Sequence, residues 1–351
     1  MEEPVTMDRC DTGNEYDGRM GLRISAIFVI LVGSLIGGVL PVATKRMGNS
    51  GLPSWVYFIA KYFGSGVIIA TAFIHLLAPA EEALTNECLD GHITEYSWVE
   101  GIILMTIVVM FFVELMVMRY SFGHGHHGHS HGPEINNDDP HELHDTEQSS
   151  RPSTTNGKGH IPGNDHLGHT RDHRDPEAAK GKDYSLEDYA SQLTAIFILE
   201  FGIIFHSIFI GLTLAVSGEE FTTLYIVLVF HQTFEGLGLG SRLATLPWPE
   251  SKKWTPYVLA LCYALSTPIA IAIGLGVRHS YPPSGRTTLI VNGVFDSISA
   301  GILIYTSLVE LMAHEFMFSR AMRRAPLRTV LSAFFFICLG AALMALLGKW
   351  A

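Results

Sequence analysis

His206-Ser207-Ile208-Phe209-Ile210-Gly211 and His231-Gln232-Thr233-Phe234-Glu235-Gly236 are the two stretches whose reading decides the fold. Each histidine stands near the middle of an apolar run long enough to cross a bilayer, where a titratable side chain is costly and marks function. His231 and Glu235 are four residues apart, so on a helix they share one face and hold one ion together. Two imidazoles and a carboxylate form a borderline-soft donor set that suits a divalent transition metal such as zinc. A metal site in the middle of a membrane implies passage of metal.

Composition points the same way. Of 351 residues, 48% are hydrophobic and only 16% charged, and the mean hydropathy is +0.27. A spanning helix needs about 20 apolar residues. Eight windows qualify, at roughly 22–44, 55–80, 98–118, 192–216, 221–240, 255–277, 288–312 and 329–348. The first is too long and too late in the chain for a cleaved signal peptide. Eight buried helices of a large soluble protein would need more polar relief than these spans offer. The fold expected is an all-α integral membrane protein with eight transmembrane helices.

Lysine and arginine in the short connections set the orientation. With residue 1 outside, the inner connections hold ten, from Lys45 and Arg46 to Arg324 and Arg328, while the outer ones hold only Arg278 and Arg286. The 81–97 loop is acidic, with Glu81, Glu82, Glu87, Asp90 and Glu95. Both termini are therefore expected to be extracellular. The organisation is an N-terminal tail 1–21, helices 1–3 over 22–120, a cytosolic loop 121–191, and helices 4–8 over 192–351.

The long loop is not read as a domain. It opens on a Gly-His repeat with His124, His126, His127, His129 and His131, and it holds 11 of the 17 histidines. With almost no aliphatic residues it buries too little apolar surface to offset its conformational entropy, so disorder is expected. Imidazoles on a flexible chain bind borderline cations loosely and exchangeably. Four cysteines are too few for a disulfide scaffold. Cys262 and Cys338 are expected to pack within spans as small apolar residues. Cys10 and Cys88 both fall on the oxidising side, where a tether between tail and loop is open to them.

The other polar residues sort by depth. His75, Glu81, Glu82 and Asp296 fall toward the outer ends of their spans and read as an entrance. Glu310, His314, Glu200 and Glu114 fall toward the cytosolic ends and read as an exit. Pro268 interrupts the sixth span, with Ser266 and Thr267 beside it to satisfy the freed backbone groups.

His206-Ser207-x-x-x-Gly211 and His231-Gln232-x-x-Glu235-Gly236-x-x-Leu239-Gly240 resemble the fourth- and fifth-span signatures of the ZIP (Zrt/Irt-like) metal transporters. The run from Phe73 through His75 to Leu77 is similar too, as are the eight spans and the His-rich loop. The likeness is to the branch of fungal and plant plasma-membrane zinc and iron importers. It implies uptake of Zn²⁺ as substrate, with no cofactor, by alternating access in which spans 1, 4, 5 and 6 move against 2, 3, 7 and 8. A homodimer in the lipid bilayer is implied as well; no nucleic-acid partner is expected. Some members carry a two-metal centre with carboxylates or amides where this chain has Ser207, Ile210, Gln232 and Thr267. One metal is therefore expected, on His206, His231 and Glu235, with Gln232 or Ser207 assisting.

Other classes fare worse. An intramembrane zinc protease needs His-Glu-x-x-His, and four residues beyond His314-Glu315 the chain has Phe318 instead of a second histidine. No membrane histidine has an Asp four residues on, as a cation-diffusion exporter would. A metal-selective channel, or a carrier whose main substrate is Fe²⁺, stays open as the alternative.

Overall fold

Apolar runs of the required length become helices wherever the chain is described. The computed structural model describes residues 10, 13–14, 16–47, 53–123, 186–246 and 248–350. Its helices are α1 Met20–Arg46, α2 Ser54–Ala70, α3 Ala78–Leu84, α4 Trp98–Gly123, α5 Leu186–Val216, α6 Phe221–Thr245, α7 Thr255–Val277, α8 Arg286–Thr306, α9 Arg320–Arg324 and α10 Leu327–Leu347. No strand occurs among the described residues. His124, His126, His127, His129 and His131 lie outside them.

Two π-helical segments were not foreseen. Thr71–Leu77 joins α2 to α3 without a break, and Ser307–Phe318 extends α8. Such segments are rare and cluster at functional sites; these two carry His75, Glu310 and His314. Seven helical runs among the described residues are long and apolar enough to cross a membrane. At 25 residues α6 is long enough but not apolar enough, because His231, Gln232, Glu235 and Arg242 interrupt it. Those four are not wasted on solvent: His231, Gln232 and Glu235 are buried against neighbouring helices, and Arg242 donates to Ser65 of α2.

Packing divides the helices into two sets. α1 lies along α6 and α7, and α7 along α5; α2 lies along α10, while α8 packs on α3 and α4. The sets meet where α2 touches α6 and where α8 touches α5. Glycines set these distances. A Cβ on Gly37 would overlap the α6 backbone at Thr233, and one on Gly64 would overlap Gly238. Small residues that let helix backbones approach replace the hydrophobic drive that lipid does not supply. α7 stays helical through Pro268, but the expected relief is only partial. Ser266 Oγ donates to the Tyr263 carbonyl, and the Thr267 hydroxyl is buried with no partner.

Cys10 and Cys88 form a disulfide. Cys262 and Cys338 are free and exposed on the outer faces of α7 and α10, not packed inside as expected. In the tail beside the disulfide, Asn14 Nδ2 donates to the carbonyls of Arg278 and Tyr281. Arg23 is fully buried, its guanidinium donating to the carbonyls of Gly18 (3.0 Å), Leu214 (3.2 Å), Ala215 (2.9 Å) and Ser217 (2.6 Å) and to Asp17 (2.7 Å). It also lies over the rings of Tyr16 and Phe221. Arg23→Met leaves those carbonyls unsatisfied, so a loss of about 3 kcal/mol is expected. A fall in the melting temperature of the solubilised protein checks it; an unchanged midpoint would show the contacts contribute nothing. The guanidinium groups of Arg19 and Arg23 hold the Asp17 carboxyl below its ordinary range. A depressed carboxylate stabilises above its unfolded pKa, and that contribution disappears as pH falls through the lowered one. The tail should therefore keep this contribution above the ordinary carboxylate range and loosen as pH falls through the lowered value.

Candidate metal centre

The middle of α5 supplies His206 and Ser207, and the middle of α6 supplies His231, Gln232 and Glu235. The 3.6-residue period puts His231 and Glu235 on one face, with His231 Nε2 3.6 Å from Glu235 Oε2. The His206 and His231 rings lie 5.8 Å apart across the helix pair. Gln232 Nε2 donates to Ser207 Oγ at 3.3 Å, and the Tyr263 hydroxyl of α7 donates to the Gln232 carbonyl. All five side chains are at most 2% exposed.

The polar atoms at this point are under-satisfied. Both ring nitrogens of His206, Nε2 of His231 and both oxygens of Glu235 are buried with no hydrogen-bond partner. A buried carboxylate without a partner is expensive. Two imidazoles beside it form the donor set that a divalent transition metal satisfies.

Two residues expected at the entrance lie beside these side chains. The His75 ring meets His231 edge to face, with centroids 4.7 Å apart, and Asp296 Oδ1 of α8 lies 3.8 Å from His206 Nδ1. Helix length accounts for this placement. The span holding His75 continues to Leu84, nine residues further and about 14 Å of helix. Asp296 lies ten residues into α8, about 15 Å from its start. Each stands well inside its helix and not at the end of it. Glu81 and Glu82 stay on α3, partly or fully exposed, and are not brought to the centre.

The expected exit residues divide. One ligand atom each of Glu114, Glu310 and His314 lies within 4.8 Å of the others. His314 Nδ1 is 3.2 Å from Glu310 Oε2, and the Tyr305 hydroxyl donates to Glu114. Among the described residues this is the one His, Cys, Asp or Glu cluster drawn together to that distance; the central set is adjacent but more open. Glu200 is not part of it. Its carboxylate is 3% exposed and both oxygens lack a partner.

Further polar contacts had no signal in residue spacing, since each joins distant helices. Lys61 Nζ lies 2.8 Å from Glu315 Oε1, which also accepts from the Tyr62 hydroxyl at 2.8 Å. Arg242 donates to Ser65 Oγ at 2.9 Å. Lys61 thus ties α2 to the π-helical extension of α8.

The family described as ZIP Zinc transporter matches residues 20–348. The chain is 44% identical to zinc-regulated transporter 2 of Saccharomyces cerevisiae, over 99% of this chain and 98% of that protein. It is 43% identical to zinc-regulated transporter 1 of Schizosaccharomyces pombe, over 96% and 87%. The plant relative zinc transporter 3 of Arabidopsis thaliana is 31% identical over 97% and 89%.

Proposed function

The chain belongs to the ZIP zinc transporter family, and from that membership we propose that it imports Zn²⁺ from outside into the cytosol through a central site of His206, His231 and Glu235. The observation that carries this reading is the group of unpartnered, fully buried donor atoms halfway along α5 and α6. The relatives' names support zinc as the cargo. In this reading α6 is a span as well, the fifth of eight, its polar residues sheltered by α1 and α2; both termini face out and the protein sits in the plasma membrane as a homodimer.

The two packed sets support alternating access. α1, α5, α6 and α7 carry His206 and His231, while α2, α3, α4, α8 and α10 carry His75, Asp296 and the Glu114–Glu310–His314 cluster. Sliding one set against the other opens the centre to one side at a time. Glu81 and Glu82 collect cations outside. The Glu114, Glu310 and His314 cluster receives the ion on the cytosolic side, with the more buried Glu200 nearby in depth.

Inward movement of one uncompensated Zn²⁺ gains about 4.6 kcal/mol at 100 mV inside-negative, from about 2.3 per charge. The chain has no Gly-x-x-x-x-Gly-Lys-Ser/Thr loop to bind a nucleotide. Purified protein in liposomes is expected to fill them with zinc without ATP; strict ATP dependence would exclude the importer.

Selectivity should follow the donors. Zn²⁺ is the main substrate, Cd²⁺ a strong competitor and Fe²⁺ a second substrate. Millimolar Mg²⁺ has no effect, since it demands an octahedral oxygen shell. Uptake of labelled zinc against unlabelled divalent ions tests this, and Fe²⁺ or Mn²⁺ outcompeting Zn²⁺ at equal concentration would remove the zinc assignment. Deleting residues 124–131 is expected to leave turnover near the intact value while altering retention of the protein when zinc is abundant. Total loss of uptake by a well-expressed deletion would place the Gly-His tract in the transport path.

A further inference from the structure

We propose that Arg242 is a latch between the two helix sets, with two stations along α2: the Ser65 hydroxyl, which it holds in this structure, and the Glu315 carboxylate, to which it moves when α6 slides. The proposal rests on the reading that the two sets slide past each other. It adds the residue that sets how readily they do so.

The first support is the guanidinium itself. Arg242 stands in the last turn of α6 and reaches across the seam, donating from Nη2 to Ser65 Oγ at 2.9 Å. Its Nε is buried with no hydrogen-bond partner. A cation drawn out of water and met by one neutral hydroxyl is poorly compensated. Among the described residues no carboxylate pairs with it at contact distance, although Glu315 and Glu310 are near enough for their charges to act on it.

The second support is register. α2 and α6 run antiparallel: Gly64 abuts Gly238, while His75, further along α2, meets His231, earlier on α6. Arg242, four residues past Gly238, is therefore level with Ala60 and Lys61, and its side chain leans back one turn to Ser65 in the usual helical direction. A slide of α6 by one turn, about 5.4 Å, toward the start of α2 carries the guanidinium from Ser65 to the level of Lys61. At that level stands Glu315, with Oε1 2.8 Å from Lys61 Nζ and accepting from the Tyr62 hydroxyl at 2.8 Å. Displacement of one element past another by a single turn is an established form of two-state switching. Beside the latch the seam is glycine on both helices, so the sets touch there without interlocked side chains.

The two stations differ in charge. Ser65 offers a neutral acceptor and Glu315 an anionic one, and charge-assisted hydrogen bonds are the stronger kind. Lys61 already neutralises Glu315, so the carboxylate is not left unpaired while Arg242 is at Ser65. Glu315 also follows directly on His314, a member of the Glu114–Glu310–His314 cluster. A second cation arriving there opposes retention of zinc by that cluster, which links the slide to release of the ion.

The test is labelled-zinc uptake over a range of zinc concentrations, normalised to surface protein. Arg242→Gln keeps a donor for Ser65 but brings no charge to Glu315. Its maximal uptake is expected to fall at least about fivefold while the apparent KM does not rise. Arg242→Lys, which keeps the charge, is expected to recover most of the loss. Glu315→Gln is expected to reproduce it, and the double variant to lose no more than the larger single one, since both remove the same pair. Wild-type maximal uptake in Arg242→Gln, a raised KM as the sole change, or losses that multiply in the double variant would overturn the latch. If Arg242→Gln does not reach the surface, the exchanged pair Arg242→Glu with Glu315→Arg decides. Recovery of surface protein and uptake over Arg242→Glu alone supports the pairing, and no recovery overturns it. Wild-type uptake that does not saturate with zinc removes the sliding reading itself; saturable wild-type uptake beside a normal Arg242→Gln removes only the latch.

Discussion

Replacing His206, His231 or Glu235 with alanine is expected to abolish zinc uptake, by two orders of magnitude or more, while the protein still reaches the cell surface. All three side chains are at most 2% exposed, and both ring nitrogens of His206, Nε2 of His231 and both oxygens of Glu235 have no hydrogen-bond partner. Removing one does not strand a hydrogen-bonded neighbour, so the fold loses little. Transport loses much, because tight zinc sites use three or four donors, and even partners outside the ligand shell change affinity about 10- to 100-fold. Radiolabelled uptake normalised to surface protein measures this. Near-normal uptake by any one of the three variants would falsify its place at the centre.

The second large effect is structural and lies at the seam between the helix sets. A side chain at Gly64 would run into Gly238 Cα, and the reverse substitution would meet Gly64 at 3.0 Å. Both obstacles are backbone, which no rotamer change relieves. Overfilling a packed core costs about 1–3 kcal/mol when side chains adjust, so Gly64→Val should exceed about 3 kcal/mol, enough to remove most folded protein. Gly276→Val on α7 is the control, since nothing lies within 4 Å of its added Cβ. Melting of detergent-solubilised protein compares the two. Equal midpoints would show that the α2–α6 contact is not close in the membrane. The opposite signatures matter: the histidine variants are expected to fold and not transport, the glycine variant not to fold.

If transport requires α2 and α6 to slide, the same glycine pair has a second role. Gly64 and Gly238 give a smooth contact between the two sets, with no knob to lift out of a hole. Gly64→Ala is then expected to slow turnover more than it weakens zinc binding, a split visible as reduced maximal uptake at unchanged apparent KM.

What the sequence by itself determined is the apolar length of the spans and the chemistry within them. Period and hydropathy sufficed for the long helices, because in lipid a chain must satisfy its backbone internally and only helix or closed barrel does so. His206, His231 and Glu235 were legible because they are polar where polarity is costly, and because His231 and Glu235 are four apart on one helix. α6 shows the limit of that logic, since the residues proposed to hold the ion also make it read poorly as a span. Depth was not legible. His75 and Asp296 read as an entrance from the apparent ends of their spans, and only the packing of the helices places them beside His231 and His206. Nor did spacing reveal which helices meet. Glu114 and His314 are 200 residues apart in the chain and join only because α4 packs on α8 and its π-helical extension. Glu200, expected with them, is not drawn in. Local patterns determine one helix at a time; the approach of separate helices depends on where glycines let backbones touch, and only the tertiary structure decided that.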